Sequence, residues 1–93
     1  MADRVRYRLR IYGKVQGVFF RKYAQMTAQS LGLGGFVRNE IDGSVYAEVE
    51  GPPEAVENFV KWAHRGSPAA RVERVEIERN LEVRGEKEFQ VRG

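Results

Sequence analysis

Residues 4–12 alternate without a break: Val5, Tyr7, Leu9 and Ile11 on one side, Arg4, Arg6, Arg8 and Arg10 on the other. A period of two puts successive side chains on opposite faces of an extended chain, so this stretch is a half-buried strand. The apolar face needs cover, and two later segments are patterned to provide it. A helix over Arg21 to Leu31 carries Phe20, Ala24, Thr27 and Leu31 at helical spacing, with Tyr23 and Ala28 beside them and Gly32 placed to end it. A second helix opens at Gly51-Pro52-Pro53-Glu54 and carries Val56, Phe59, Val60 and Ala63 as its stripe, with Trp62 at the margin. Proline suits a first turn and an early glutamate suits the helix dipole; Arg65, Gly66 and Pro68 close the segment.

Between the helices, Phe36 to Asn39 reads as a short strand and Ser44 to Glu50 as its return, joined at the Asp42-Gly43 turn signal. Val45, Ala47 and Val49 are expected inward, Tyr46, Glu48 and Glu50 outward. Val72 to Glu78 alternates again, but Val72 and Val75 break parity, which predicts a bulge or a late strand start. Arg84 to Lys87 is a polar turn, and Phe89 and Val91 allow a short final strand. The order strand–helix–strand–strand–helix–strand is the α+β, ferredoxin-like split βαβ arrangement (βαββαβ). It predicts a single domain over 1–93: an antiparallel sheet with both helices on one face and a short fifth strand at an edge. The first strand is then central, and the open face holds the arginines between Glu48 and Glu50 on one side and Glu76 and Glu78 on the other. Opposite charges paired across strands are stabilising, so the arginine row is expected to be a solvated charge ladder and not a nucleic-acid stripe.

At 93 residues with 42% hydrophobic content the chain is long enough and apolar enough for a core. It has no cysteine, which removes disulfides, thiolate nucleophiles and cysteine-ligated metals and fits a reducing compartment. No apolar run approaches a membrane span and no signal-peptide pattern opens the chain, so a cytoplasmic, membrane-free protein is expected. A net charge of +3 favours anionic partners without implying nucleic acid. His64 is the sole histidine and sits near a helix end; the carboxylates form no acid/base pair, and no compact set of them suggests a metal site.

The stretch with most chemistry in it is Gly13-Lys14-Val15-Gln16-Gly17-Val18-Phe19-Phe20-Arg21. A glycine-bearing turn from a strand into a helix aims several backbone N–H groups at one point, where the helix dipole adds partial positive charge. Arg21 adds a planar fork of donors at the edge of that nest. The segment Val15, Gln16, Gly17, Val18, Phe19, Phe20 with Arg21 thus reads as an anion cradle, most simply for a phosphoryl group. From residues alone Arg21 is open to a capping role as well, and Asn39, before a turn, to a purely structural one.

These two stretches resemble the acylphosphatase family. Its first motif, a glycine and valine followed by Q-G-V-x-F-R, reads here as Gly13 to Arg21; its second, G-[aromatic]-V-x-N-x-x-D-G-x-V, reads as Gly35 to Val45. The resemblance spans nearly the whole chain. It implies the same fold and the hydrolysis of a small-molecule acyl phosphate to a carboxylate and inorganic phosphate, without metal or cofactor. It also implies that Arg21 and the Val15–Phe20 backbone hold the phosphoryl oxygens and that Asn39 orients the attacking water. Glu40 beside Asn39 is expected to point to solvent. No acyl pocket is visible outside the cradle, which suggests broad specificity, and both apolar stripes are used by the sheet, which suggests a monomer. The competing readings are a non-catalytic anion- or partner-binding module and an RNA-binding domain of the same topology.

Overall fold

The computed structural model describes residues 3–93. Its elements are β1 (Val5–Lys14), α1 (Phe20–Ser30), β2 (Gly34–Asn39), β3 (Val45–Gly51), α2 (Pro53–Arg65), β4 (Arg71–Leu81) and β5 (Phe89–Arg92). They form one five-stranded sheet in the order β4-β1-β3-β2-β5. β1 is central, between β3 and β4, as the ferredoxin-like reading requires. The sheet is mixed and not wholly antiparallel, because β5 runs parallel to β2 at the edge.

The helices form where their sequences direct and pack on the apolar face. α1 buries Phe20, Ala24 and Ala28. It ends in a Schellman motif: Gly32 takes φ 72°, its N–H donates to the Gln29 carbonyl, and the Leu33 N–H donates to the Ala28 carbonyl. α2 buries Val56, Phe59, Val60 and Ala63, with Glu54 in its first turn and His64 and Arg65 in its last, the charge order its dipole favours. Phe20 and Phe59 flank Trp62 at ring-centroid distances of 5.0 and 5.6 Å, and Phe59 meets Phe89 of β5 at 5.8 Å. This aromatic chain ties both helices to the edge strand. Phe59 is fully buried, so its truncation to alanine is expected to cost about 3–5 kcal/mol.

The parity break in β4 is a bulge. Tyr12 faces Arg74 and Gly13 faces Val72, which leaves Glu73 without an opposite residue. Gly13 is at φ +127°, and a Cβ there would run into the Arg71 carbonyl. The backbones approach too closely for any other residue. A second shift lies between Arg6 and Arg8, where Asn80 takes φ 69°.

The open face departs from the solvated ladder. Arg8 pairs with Glu78 near the surface as expected, but Arg6 and Glu50 are fully buried, and Tyr46 and Glu48 nearly so. The Arg6 Nε lies 2.8 Å from Glu48 Oε1, and its Nη1 lies 2.8 Å from Glu50 Oε1 and 3.1 Å from Glu86 Oε1. The cover comes from the loop 82–88, which contains the expected polar turn Arg84 to Lys87 and folds across this end of the sheet. Burial pushes the Glu50 carboxyl up, but the Arg84 N–H, the Arg6 guanidinium and the Gly85 N–H outweigh it and hold Glu50 below the ordinary range. Gly34 permits the crossing, since a Cβ there would strike the Glu86 carbonyl; a Cβ on Gly35 would strike the Glu48 carbonyl of β3.

Candidate active site

The loop from β1 into α1 is pinned at three residues. Val15, Val18 and Phe20 are buried in the core, while Gly17 and Phe19 face solvent. Two left-handed residues shape it: Gly17 at φ 75°, and Phe19 at φ 62°, ψ 24°. Phe19 is the N-cap of α1 and provides no side-chain cap, and the first turn holds no acidic residue. Arg21 and Lys22 stand there instead, an arrangement unfavourable to an isolated helix dipole and favourable to a bound anion. The N–H groups of residues 16–20 donate to no backbone carbonyl among the described residues.

Two side chains, one from the loop and one from outside it, fix its position. Gln16 does not point into the cleft: its Nε2 donates to the Glu40 and Ser44 carbonyls at 2.8 and 2.9 Å, fastening the loop to the β2–β3 hairpin. The buried Ser67 hydroxyl donates to the Val18 carbonyl at 2.7 Å. In a planar trans peptide the carbonyl and the next N–H point opposite ways. With the Val18 carbonyl held inward by Ser67, the Phe19 N–H is turned outward.

Val15, Gly17, Phe19, Phe20, Arg21 and Asn39 line one cleft of about 590 Å³, together with Lys22, Gln25 and Val91. The cleft thus joins most of the cradle to Asn39; Gln16 and Val18 support it from behind. Arg21 Nη1 donates to the Arg92 carbonyl at 2.8 Å and forms no ion pair among the described residues. Asn39 ends β2 opposite Val45. Its Oδ1 is buried and has no hydrogen-bond partner among the described residues, an expensive state for a polar atom unless a ligand or water meets it.

Glu40 does not point to solvent. Arg38 Nε donates to it at 2.6 Å and Arg10 Nη1 at 3.5 Å, and it is only 22% exposed. The Arg38 hydrogen bond above all holds its carboxyl below the ordinary range. Its charge is turned away from the cleft and neutralised there. His64 Nδ1 lies 3.0 Å from the Val60 carbonyl one turn back, a local helix contact.

Ser67, Lys22, Gln25, Val91 and Arg92 were not among the residues that sequence reasoning selected. Lys22 had a signal, a second cation in an acid-free first turn. Ser67 and Arg92 had none, since they reach the loop only through the tertiary fold. The whole arrangement can take a tetrahedral oxyanion at the N-terminus of α1 and place a water against Asn39.

Sheet order and helix placement define a ferredoxin-like α+β protein, with an open, arginine-edged turn into α1. The family model described as Acylphosphatase matches residues 7–91. The acylphosphatase of Thermococcus kodakarensis is 57% identical over 74 residues, which cover 80% of this chain and 81% of the relative. That of Anaeromyxobacter dehalogenans is 55% identical over 78 residues, 84% of each chain. The crystal structure of the Bacillus subtilis acylphosphatase superposes with a TM-score of 0.92 at 35% identity, covering 96% of this chain and 99% of that one. The chain belongs to the acylphosphatase family, hydrolases that act on acid anhydrides.

Proposed function

We propose that Arg21 and the backbone N–H groups of Val15 to Phe20 hold the phosphoryl group of an acyl phosphate, and that Asn39 orients the water that attacks it. The observation that carries this reading is the unpartnered, buried Asn39 Oδ1 in the same cleft as the uncapped N-terminus of α1. The amide oxygen accepts a hydrogen bond from the water and turns a lone pair toward phosphorus. The new P–O bond forms as the P–O bond to the acyl carboxyl breaks, and that carboxylate leaves with the bonding pair. The water proton passes to a phosphate oxygen, so the products are a carboxylate and inorganic phosphate. A carboxylate leaves readily, so leaving-group protonation adds little. Positioning and charge stabilisation carry the rate through a loose transition state. Arg21 and the N–H dipoles supply that stabilisation, so no metal or cofactor enters the scheme.

On the same reading residues 1–93 act as one domain, a cytoplasmic monomer working on small acyl phosphates and not on nucleic acid or membranes. The open-face aromatics support the exclusion of bases: Arg38 lies 4.5 Å from the Tyr46 ring centre and Arg92 3.9 Å from that of Phe36, so both rings are already covered. The test is hydrolysis of benzoyl phosphate with excess chelator, wild type beside Arg21→Ala. Turnover by the wild type alone, inhibited by inorganic phosphate, is expected; equal turnover by the two sinks the assignment of Arg21.

A further inference from the structure

The cleft has a second character beyond its charge. Phe19 is 72% exposed and Val91 is 41% exposed, and both line the cleft that holds Arg21 and Asn39. Phe19 stands in the left-handed region, where side chains other than glycine and asparagine are strained, and its ring meets no other ring among the described residues. A strained, uncapped, solvent-facing aromatic contributes nothing to the core. Its position does place a flat apolar surface at the mouth of an anion cradle, with Val91 of β5 beyond it. An acyl phosphate bound by its phosphoryl group must project its acyl part out of the cradle toward this mouth. We infer that Phe19 and Val91 form a subsite for the acyl group, which selects aromatic and other hydrocarbon acyl phosphates over small polar ones.

The inference rests on the phosphoryl reading of the cleft and replaces the sequence expectation that no acyl subsite exists. The subsite works through ground-state contact: an aromatic ring on Phe19 gains stacking and apolar burial that an acetyl group does not. It therefore changes the KM of aryl substrates more than their kcat.

The experiment compares benzoyl phosphate with acetyl phosphate by kcat/KM. In parallel it compares the non-hydrolysable phenacylphosphonate with acetonylphosphonate by calorimetric Kd. The proteins are wild type, Phe19→Asn, which tolerates the left-handed backbone, Phe19→Trp, and Val91→Ser, which leaves the loop untouched. The expected result is a preference for the aryl member in both pairs. It falls about tenfold in Phe19→Asn, persists in Phe19→Trp and falls about threefold in Val91→Ser. An aryl preference unchanged in Phe19→Asn overturns the subsite. So does a fall matched by equal weakening of inorganic phosphate binding, because Phe19 would then act through the cradle. If the wild type hydrolyses neither substrate, the catalytic reading fails, while the phosphonate pair still reads the subsite.

Discussion

Two loops of this molecule gather backbone N–H groups beside an arginine. In the loop after β4, the N–H groups of Arg84, Gly85 and Glu86 donate to the Glu50 carboxylate at 2.8, 2.6 and 3.0 Å, and Arg6 completes the site from the sheet. The loop before α1 also pairs backbone N–H groups with an arginine, Arg21, but no carboxylate hydrogen bond to it is found among the described residues. The chemistry is alike, and the consequences are opposite. The first nest is closed on the protein's own anion and locks a buried ion cluster. The second stays open, with an orphan acceptor at Asn39 beside it. Whether a nest is structural or functional depends on whether the fold delivers an internal anion to it.

Breaking each nest should therefore damage different properties. Arg21→Ala should lower kcat/KM by about 10³-fold or more, since an arginine on the transferring phosphoryl group is worth that much in related chemistry. Its melting temperature should stay near wild type, because among the described residues Arg21 makes one exposed hydrogen bond. Steady-state kinetics beside a thermal melt reads both. Glu50→Ala should do the reverse. It takes one of three carboxylates from the buried Arg6, which keeps Glu48 and Glu86, and it strands three N–H groups, at a cost of about 3–5 kcal/mol in stability. Its kcat per folded molecule should be retained, and urea unfolding with active-site titration decides.

Finer breaks sharpen the contrast. Asn39→Ala should reduce kcat about 10²-fold with phosphate affinity nearly intact; parallel losses in both would contradict a water-orienting role. Ser67→Ala releases the Val18 carbonyl, and with it the outward Phe19 N–H. Phosphate inhibition should weaken about tenfold, in line with one lost hydrogen bond in a buried setting. The smallest effect is in pH. Glu50 titrates below its ordinary value of 4.5 in the folded chain, so its stabilisation is complete above that pH and is lost as pH falls through the lowered folded value. Wild type should thus lose more stability between about pH 5 and pH 3 than Glu50→Gln does, as paired urea titrations would show.

Local patterns made much of this legible. The alternation of β1, the helix stripes, Gly32 and the Asp42-Gly43 turn each act over a few residues, and the structure follows them. The open cradle was legible for the same reason: its glycine, its helix start and Arg21 lie within one turn of each other. The burial of Arg6 and Glu50 was not, because it depends on a loop 34–36 residues beyond Glu50 folding across the sheet. Ser67 acts on a carbonyl 49 residues away, and Arg92 on Arg21 across 71. The partial burial of Glu40 was not legible either: Arg38 stands only two residues away, but Arg10 reaches it across 30 residues, through the sheet.

Amide NMR during titration with inorganic phosphate tests the contrast between the nests most directly. The account predicts saturable shifts at the Gly17, Phe19 and Phe20 N–H groups and the Arg21 guanidinium, with Arg84, Gly85 and Glu86 unmoved. Shifts absent from the first loop, or present equally in both, would contradict it.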